Sequence, residues 1–273
     1  MESHDLHYIP LTDFDTPQGS SGMSGIAANG LLLLSSNVGD PEIPVYICNP
    51  ITREYIVLCR PMEYKFVSCF EFCVRKISGQ YKVVVSICRT LESDSFQVYT
   101  LSTGIWRDVE TGVASGFRFY FDGHAECNGN LHWMVIDLVE PYFQICGFDV
   151  ETERFTIFSA PPSLPMELSV QLTILRDCLC ICYVQDYEIA TWLMKKYRVD
   201  ESWTIEYKLK TMDFAFNVAR VNMVVRPIKI FKDGDAFMLV NEHQLIYYFN
   251  MTEPTQKVGV FTDADIRYSL RPA

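Results

Sequence analysis

Three thiols on alternate residues, Cys178, Cys180 and Cys182, form the arrangement in this chain that most invites chemistry. In a strand that spacing puts all three on one face, where a metal ion or a redox partner would meet them. Zinc sites need further thiol, imidazole or carboxylate ligands at set spacings, and no His or acid stands at such a spacing here. Buried packing suits the three thiols better, because free cysteine behaves as a small hydrophobe. Cys69 and Cys73 are read the same way. Cys127 and His132 would serve as nucleophile and base only with a carboxylate to orient the imidazole, and none can be assigned. The paired acids Glu92/Asp94, Asp186/Glu188 and Asp233/Asp235 suggest glycoside hydrolysis, but acids beside hairpin turns are expected from turn chemistry alone. Asp233-Gly234-Asp235 lacks the other ligands of a calcium loop. The histidines His4, His7, His124 and His243 are isolated and are expected to be exposed or capping. No glycine-rich nucleotide loop and no serine-hydrolase elbow is present. Catalytic, metal and cofactor residues are therefore assigned to none of these positions, and the residues that would touch a target are left open.

The aromatics Phe117, Phe119, Tyr120 and Phe121, interrupted by Arg118, read as strand core with some part lining a surface. Hydrophobic residues make up 49% of the 273 residues and charged ones 21%, a globular composition. A net charge of −11 argues against nucleic acid as the main partner. The basic run Lys195-Lys196-Tyr197-Arg198 reads as a solvated hairpin turn. The longest aliphatic run, 31–34, is far shorter than the roughly 20 residues of a membrane helix, so no membrane partner is expected. None of the ten cysteines forms a Cys-x-x-Cys pair, and no secretory leader is legible. Reduced thiols in the cytoplasm or nucleus are the expectation.

What positions these residues is a repeat. An apolar strand, a polar turn and an aromatic recur as Asn49-Pro-Ile-Thr52-Arg-Glu-Tyr55, Thr100-Leu-Ser-Thr103-Gly-Ile-Trp106, Asp149-Val-Glu-Thr152-Glu-Arg-Phe155 and Tyr197-Arg-Val-Asp200-Glu-Ser-Trp203, with a weaker copy at 249–254. The aromatics step by 51, 49 and 48 residues. A second series, a turn followed by an apolar strand, starts at Asn29-Gly30, Ser78-Gly79, Asn128-Gly129, Arg176-Asp177 and Asp233-Gly234 with nearly the same period. Two-residue alternation and the absence of long three-four spacing make these units antiparallel strands. A period near fifty predicts an all-β, kelch-like β-propeller. Five blades are readable, with room for a sixth in 62–75 and 208–226. Each unit reads as three strands, and the recurrent aromatic is expected to pack between neighbouring blades. Residues 1–25 read as an N-terminal segment, with 6–11 as a candidate ring-closing strand, 26–265 as the propeller and 266–273 as a tail.

These same residues resemble a known family. Asn29-Gly30-Leu31 with Tyr46-Ile-Cys48-Asn49-Pro50, Gly79-Gln-Tyr81-Lys82-Val83-Val84, Val98-Tyr99 through Trp106, Asn128-Gly129-Asn-Leu131-His132-Trp133, Phe148-Asp149 through Phe155, and Trp192 through Trp203 are similar, in order, to motifs of the F-box associated domain of plant F-box proteins. The resemblance implies a protein-binding propeller that recognises substrates for a cullin ubiquitin ligase, not an enzyme. It implies a target protein, a Skp-type adaptor and a cullin as partners. No Leu-Pro-rich helical segment precedes the repeat, so the F-box is expected to be missing here. Propellers bind through loops held by the scaffold. The candidate binding segments are 37–44, 91–95, 137–142 and 185–188. An alternative is a propeller hydrolase using carboxylates in the channel, and another is a module that holds targets without ligase coupling.

Overall fold

The computed structural model describes residues 24–35, 44–59, 67–90, 93–162, 164–165, 170–185, 188–210, 224–230, 236–240, 244–248 and 258–262. The first sheet holds β1 (Ser24–Ala28), β2 (Leu31–Ser35), β3 (Val45–Cys48) and β4 (Tyr55–Leu58). The second holds β5 (Val67–Val74), β6 (Tyr81–Thr90), β7 (Ser93–Thr100) and β8 (Ile105–Val109). β9 (Phe117–Cys127), β10 (Asn130–Asp137), β11 (Phe143–Asp149) and β12 (Phe155–Ser159) make the third. β13 (Gln171–Leu175), β14 (Cys178–Gln185), β15 (Glu188–Met194) and β16 (Trp203–Lys210) make the fourth. The fifth has β17 (Val225–Ile230), β18 (Ala236–Val240), β19 (Gln244–Tyr248) and β20 (Val258–Thr262). Every sheet keeps its strands in chain order and antiparallel. The described residues contain no α-helix.

Turn chemistry sets this pattern. Asn29-Gly30 and Asn128-Gly129 join the first two strands of their sheets with positive φ at both residues, the conformation that twists a two-residue hairpin correctly. Arg176 and Asp177 adopt it without glycine. Between the third and fourth strands, Asn49 and Asp149 each accept two backbone N–H groups on a side-chain oxygen, from Ile51 and Thr52 and from Glu151 and Thr152. The chain then passes through one left-handed residue, Arg53, Gly104, Glu153 or Arg198.

The middle strands are buried on both faces, which is why they read as unbroken apolar runs rather than alternating ones. Val83 and Val85 pack with Leu33 and Ile47 of the first sheet. Their neighbour Val84 joins Trp133, Phe148 and Phe155 of the third. Met134 and Ile145 likewise turn the other way, toward Leu179, Ile181 and Trp203 of the fourth. Each such side chain, freed of water, contributes roughly 1.5–3 kcal/mol, and together they make the core a set of sheet-to-sheet layers.

Neighbouring sheets meet through their first strands, β1 with β5, β9 with β13 and β13 with β17. These are the innermost strands, and they are the ones missing from the three-strand reading of the repeat: each sheet has four. β9 carries His124 and glycine at 123, and β17 carries Pro227, so neither shows a clean alternating pattern. The described parts of 62–75 and 208–226 belong to the second, fourth and fifth sheets. The candidate closing strand 6–11, the tail 266–273 and the fifth copies of both turns lie outside the described residues. At Gly123 an added methyl would meet Gln171 Oε1 at 3.2 Å and the Leu172 carbonyl oxygen at 3.3 Å. Gly123→Ala is expected to cost about 1–3 kcal/mol by forcing β9 and β13 apart, read as a lower denaturation midpoint with an unchanged slope.

The recurrent aromatics do span the joints. Phe155 lies 4.9 Å from Phe96 of the second sheet, centroid to centroid. The indole N–H of Trp106 donates to the Cys59 carbonyl and that of Trp203 to the Ser159 carbonyl, at 2.7 and 3.0 Å. Tyr55 differs: it stands edge-on to Tyr46 of its own sheet and is half exposed.

Candidate functional site

Strand alternation sorts the connectors into two ends. Turns between first and second and between third and fourth strands emerge at one end; connectors between second and third strands, and the links between sheets, emerge at the other. All four candidate segments, 37–44, 91–95, 137–142 and 185–188, join a second strand to a third, so the topology brings their ends to this loop end. Segment 37–44 lies outside the described residues except for Pro44, and 91–92 and 186–187 are outside them too.

The third sheet shows what this end presents. Asp137 Oδ1 accepts the N–H groups of Val139 and Glu140 at 2.7 and 3.2 Å, which folds the loop back on itself. Leu138 N–H donates to the Gly116 carbonyl at 3.1 Å, tying this loop to the link from the second sheet. That link makes a short 3-10 turn, Gly112–Ala114, pinned by buried Ala114. The polar backbone is thus satisfied internally while apolar side chains face water: Val139 is 88% exposed, Val113 61%, Tyr142 47% and Leu138 41%. Gln144 donates to the Tyr142 hydroxyl at 2.5 Å. Beside them Tyr120 and Phe143 stack edge to face, 5.8 Å between centroids. Single exposed hydrophobes are ordinary, but several on one ordered loop and the link tied to it make a candidate binding surface.

Asp94 has a different role from the rest of its segment. It is half-buried and accepts the Phe119 N–H at 3.4 Å, holding the start of β9 to the second sheet. Burial pushes its carboxyl up from the usual range, opposed by that amide, the Cys88 thiol and Arg118. Gln185 is exposed and faces Glu188 across the hairpin.

Along the inner strands lies a polar cluster that sequence reasoning did not single out. Glu71 of β5 is almost fully buried; its carboxylate accepts the Trp133 indole N–H at 3.2 Å and pairs with His124 Nε2 at 3.0 Å. Arg226 of β17 donates to Gln171 of β13 at 3.0 Å. Glu71, His124, Gln171 and Arg226 stand about one repeat apart, so comparing equivalent positions across units would have found them. The Glu71 carboxylate is engaged by an indole and an imidazole from the third sheet, which ties sheets together rather than presenting a general acid.

The thiols and the nucleophile candidate resolve into packing. Cys180 and Cys182 are fully buried on β14, Cys178 less so, and burial pushes Cys180 well up and Cys182 to about 12, so both stay protonated. Cys73 is buried and Cys69 partly so, the latter within 3.2 Å of the Ser86 hydroxyl. Among the described residues no group of three or more His, Cys, Asp and Glu could hold a metal. His132 is fully buried: Nδ1 donates to the Ala125 carbonyl at 3.1 Å and Nε2 accepts from the Tyr197 hydroxyl at 2.9 Å. Cys127 contacts the Asp177 carbonyl instead. The three cations of the basic run, Lys195, Lys196 and Arg198, are exposed, as a solvated turn requires, but the turn also holds a joint. Tyr197 reaches His132 and Arg198 donates to Asn130 at 3.3 Å, because the turn of the fourth sheet folds onto the third. In the aromatic group Phe119 is core, packed on Phe96, Phe121, Trp133 and Phe155, and Tyr120 faces outward. Asp233 and Asp235 lie outside the side chains described.

Successive four-stranded antiparallel sheets packed sheet on sheet define a β-propeller. Sequence comparison gives the same class a family: the chain belongs to the F-box associated beta propeller domain family, whose profile matches residues 11–269. F-box protein CPR1 of Arabidopsis thaliana is 25% identical over 95% of this chain, which spans 69% of that relative's length. A second Arabidopsis thaliana F-box protein is 25% identical over 87% of the chain and 64% of its own length. Among solved structures, a mutant Aleuria aurantia lectin in complex with alpha-methyl-L-fucoside superposes on 89% of the chain and 79% of its own at a TM-score of 0.51 and 12% identity, a likeness of fold alone.

Proposed function

We propose that this chain is a substrate-recognition module that holds a target protein at its loop end, for delivery to a ubiquitin ligase built on a Skp-type adaptor and a cullin. The observation that carries the reading is the ridge of Val113, Leu138, Val139 and Tyr142, exposed on loops whose own backbone is satisfied and anchored to the sheets. A binding surface needs this combination of rigid support and unsatisfied apolar area. Membership in the F-box associated family supports the substrate role and a non-enzymatic one. Cytoplasm and nucleus, where such ligases would meet their targets, are the compartments this reading requires.

Affinity purification of the full chain from plant cells, followed by mass spectrometry, tests it. The expected result is a target protein that is lost when Val139 is changed to Asp. Recovery of the adaptor and cullin alongside would support ligase coupling; a target without them would leave a binding module acting alone. Recovery of neither, at wild-type expression, would overturn the proposal.

A further inference from the structure

The loop end also carries most of the chain's excess negative charge. The connectors between second and third strands contain Asp40, Glu42, Glu92, Glu140, Asp186 and Glu242 and no lysine or arginine. Glu110 and Asp137 add to them beside the ridge, both on described backbone. At this end Arg118 lies by Asp94, on the β9 side of the ridge. At the turn end the charges nearly cancel: Arg53, Lys76, Arg176, Lys195, Lys196 and Arg198 are offset by Glu54, Glu151, Glu153, Asp177, Asp200 and Glu201. The net charge of −11 is thus distributed unevenly along the chain, with an excess of acids in the connectors of the end that carries the ridge.

Resting on the target-binding reading above, we propose that the segment held at this end is basic: a lysine- or arginine-bearing stretch of the target whose apolar side chain seats against Val113, Leu138, Val139 and Tyr142 while its cation meets Glu110 and Glu140. Two independent features select that chemistry. The ridge supplies desolvated contact area with a tyrosine at its margin, the kind of residue that anchors interfaces. The surrounding acids attract a cation from a distance, reject an acidic segment, and make association depend on salt. An acidic partner would face repulsion from every connector at this end, and a purely apolar one would leave the acids desolvated without a counter-charge.

Panning the full chain against a random peptide library tests this directly. Enriched peptides are expected to place lysine or arginine next to leucine, phenylalanine or tyrosine. The affinity of a selected peptide is expected to fall about tenfold or more in Val139→Asp and in Glu140→Lys, to weaken as salt rises, and to stay nearly unchanged in Glu201→Lys at the turn end. Val139 and Glu140 are exposed, so both variants are expected to fold, and circular dichroism checks that they do. Enrichment of acidic or uncharged peptides would overturn the inference, as would indifference to the two loop-end changes. An equal loss in Glu201→Lys would do the same, because it would reduce the effect to bulk charge. If no peptide is enriched while a target still co-purifies from plant cells, the basic-segment inference fails and the recognition module stands; if no target co-purifies either, the module itself fails.

Discussion

Replacing Glu153 by alanine is expected to cost the fold about 3–5 kcal/mol, a large part of the stability of an ordinary domain. The reason lies at the joint between the second and third sheets. The Lys82 side chain is only 2% exposed, and its ammonium donates to Glu153 Oε1 at 2.5 Å and to the Val150 carbonyl at 2.7 Å. Arg107 bonds the same carboxylate oxygen from the solvent side. Without the carboxylate, Arg107 can turn to water, but Lys82 is left charged and buried with a single carbonyl. Removing both charges together, as Lys82→Met with Glu153→Leu, is expected to recover most of the loss, since a well-packed apolar pair often does as well as a buried ion pair. Denaturant titration of the single and double variants checks this, and a single variant within about 1 kcal/mol of the parent would count against it. Burial by itself would push the Glu153 carboxyl up, yet the Arg107 and Lys82 bonds prevail and hold it below the usual carboxylate range. Its stabilisation is therefore present above the unfolded carboxylate value and lost as pH falls through the lower folded one.

A second loss is expected at milder acidity, from His132. Burial lowers its imidazole to about 4 from the ordinary 6.5, against the hydrogen bond to Ala125. Between those two values the unfolded chain binds a proton that the folded one does not, so stability rises with pH across this window and is complete above 6.5. The span corresponds to on the order of 3 kcal/mol lost on acidification from neutral pH to about 4. His132→Gln is expected to be less stable at neutral pH and to lose the His132 part of the slope in that window, while Glu153 effects continue at lower pH. A parent protein whose midpoint does not move between pH 7 and 5 would refute the assignment.

Much of this architecture could be read from residue order. The Asn-Gly and Asn or Asp turns, the aromatic at the head of the fourth strand in the first four sheets and the fifty-residue step are local signals, and those sheets follow from them. The innermost strands were not legible, because their side chains answer to the next sheet rather than to their own sequence neighbours: Gly123 is there to let Gln171 and Leu172 approach. The same holds at the sites. The segments that would form a binding end could be named as loops, but that Asp94 would clamp β9, or that Leu138 and Val139 would be left in water while Asp137 closes the turn beneath them, depends on contacts between segments far apart in the chain. His132 and Tyr197 each belong to a strong local motif, and their meeting across a joint was invisible to both.

The hairpin turns that reach onto the preceding sheet use a different chemistry each time: carboxylates Glu151 and Glu153 onto Arg75 and Lys82 at one joint, Tyr197 and Arg198 onto His132 and Asn130 at the next. Units that began alike in sequence are therefore no longer interchangeable parts. A chimera carrying 195–202 in place of 149–154 would set lysines and an arginine against Lys82 and Arg75, and the reverse exchange would strand His132 without its hydroxyl. The order of the blades around the ring is written in these mismatched keys, so that this propeller can vary its loops freely but cannot shuffle, duplicate or lose a blade without rebuilding the seams on both sides.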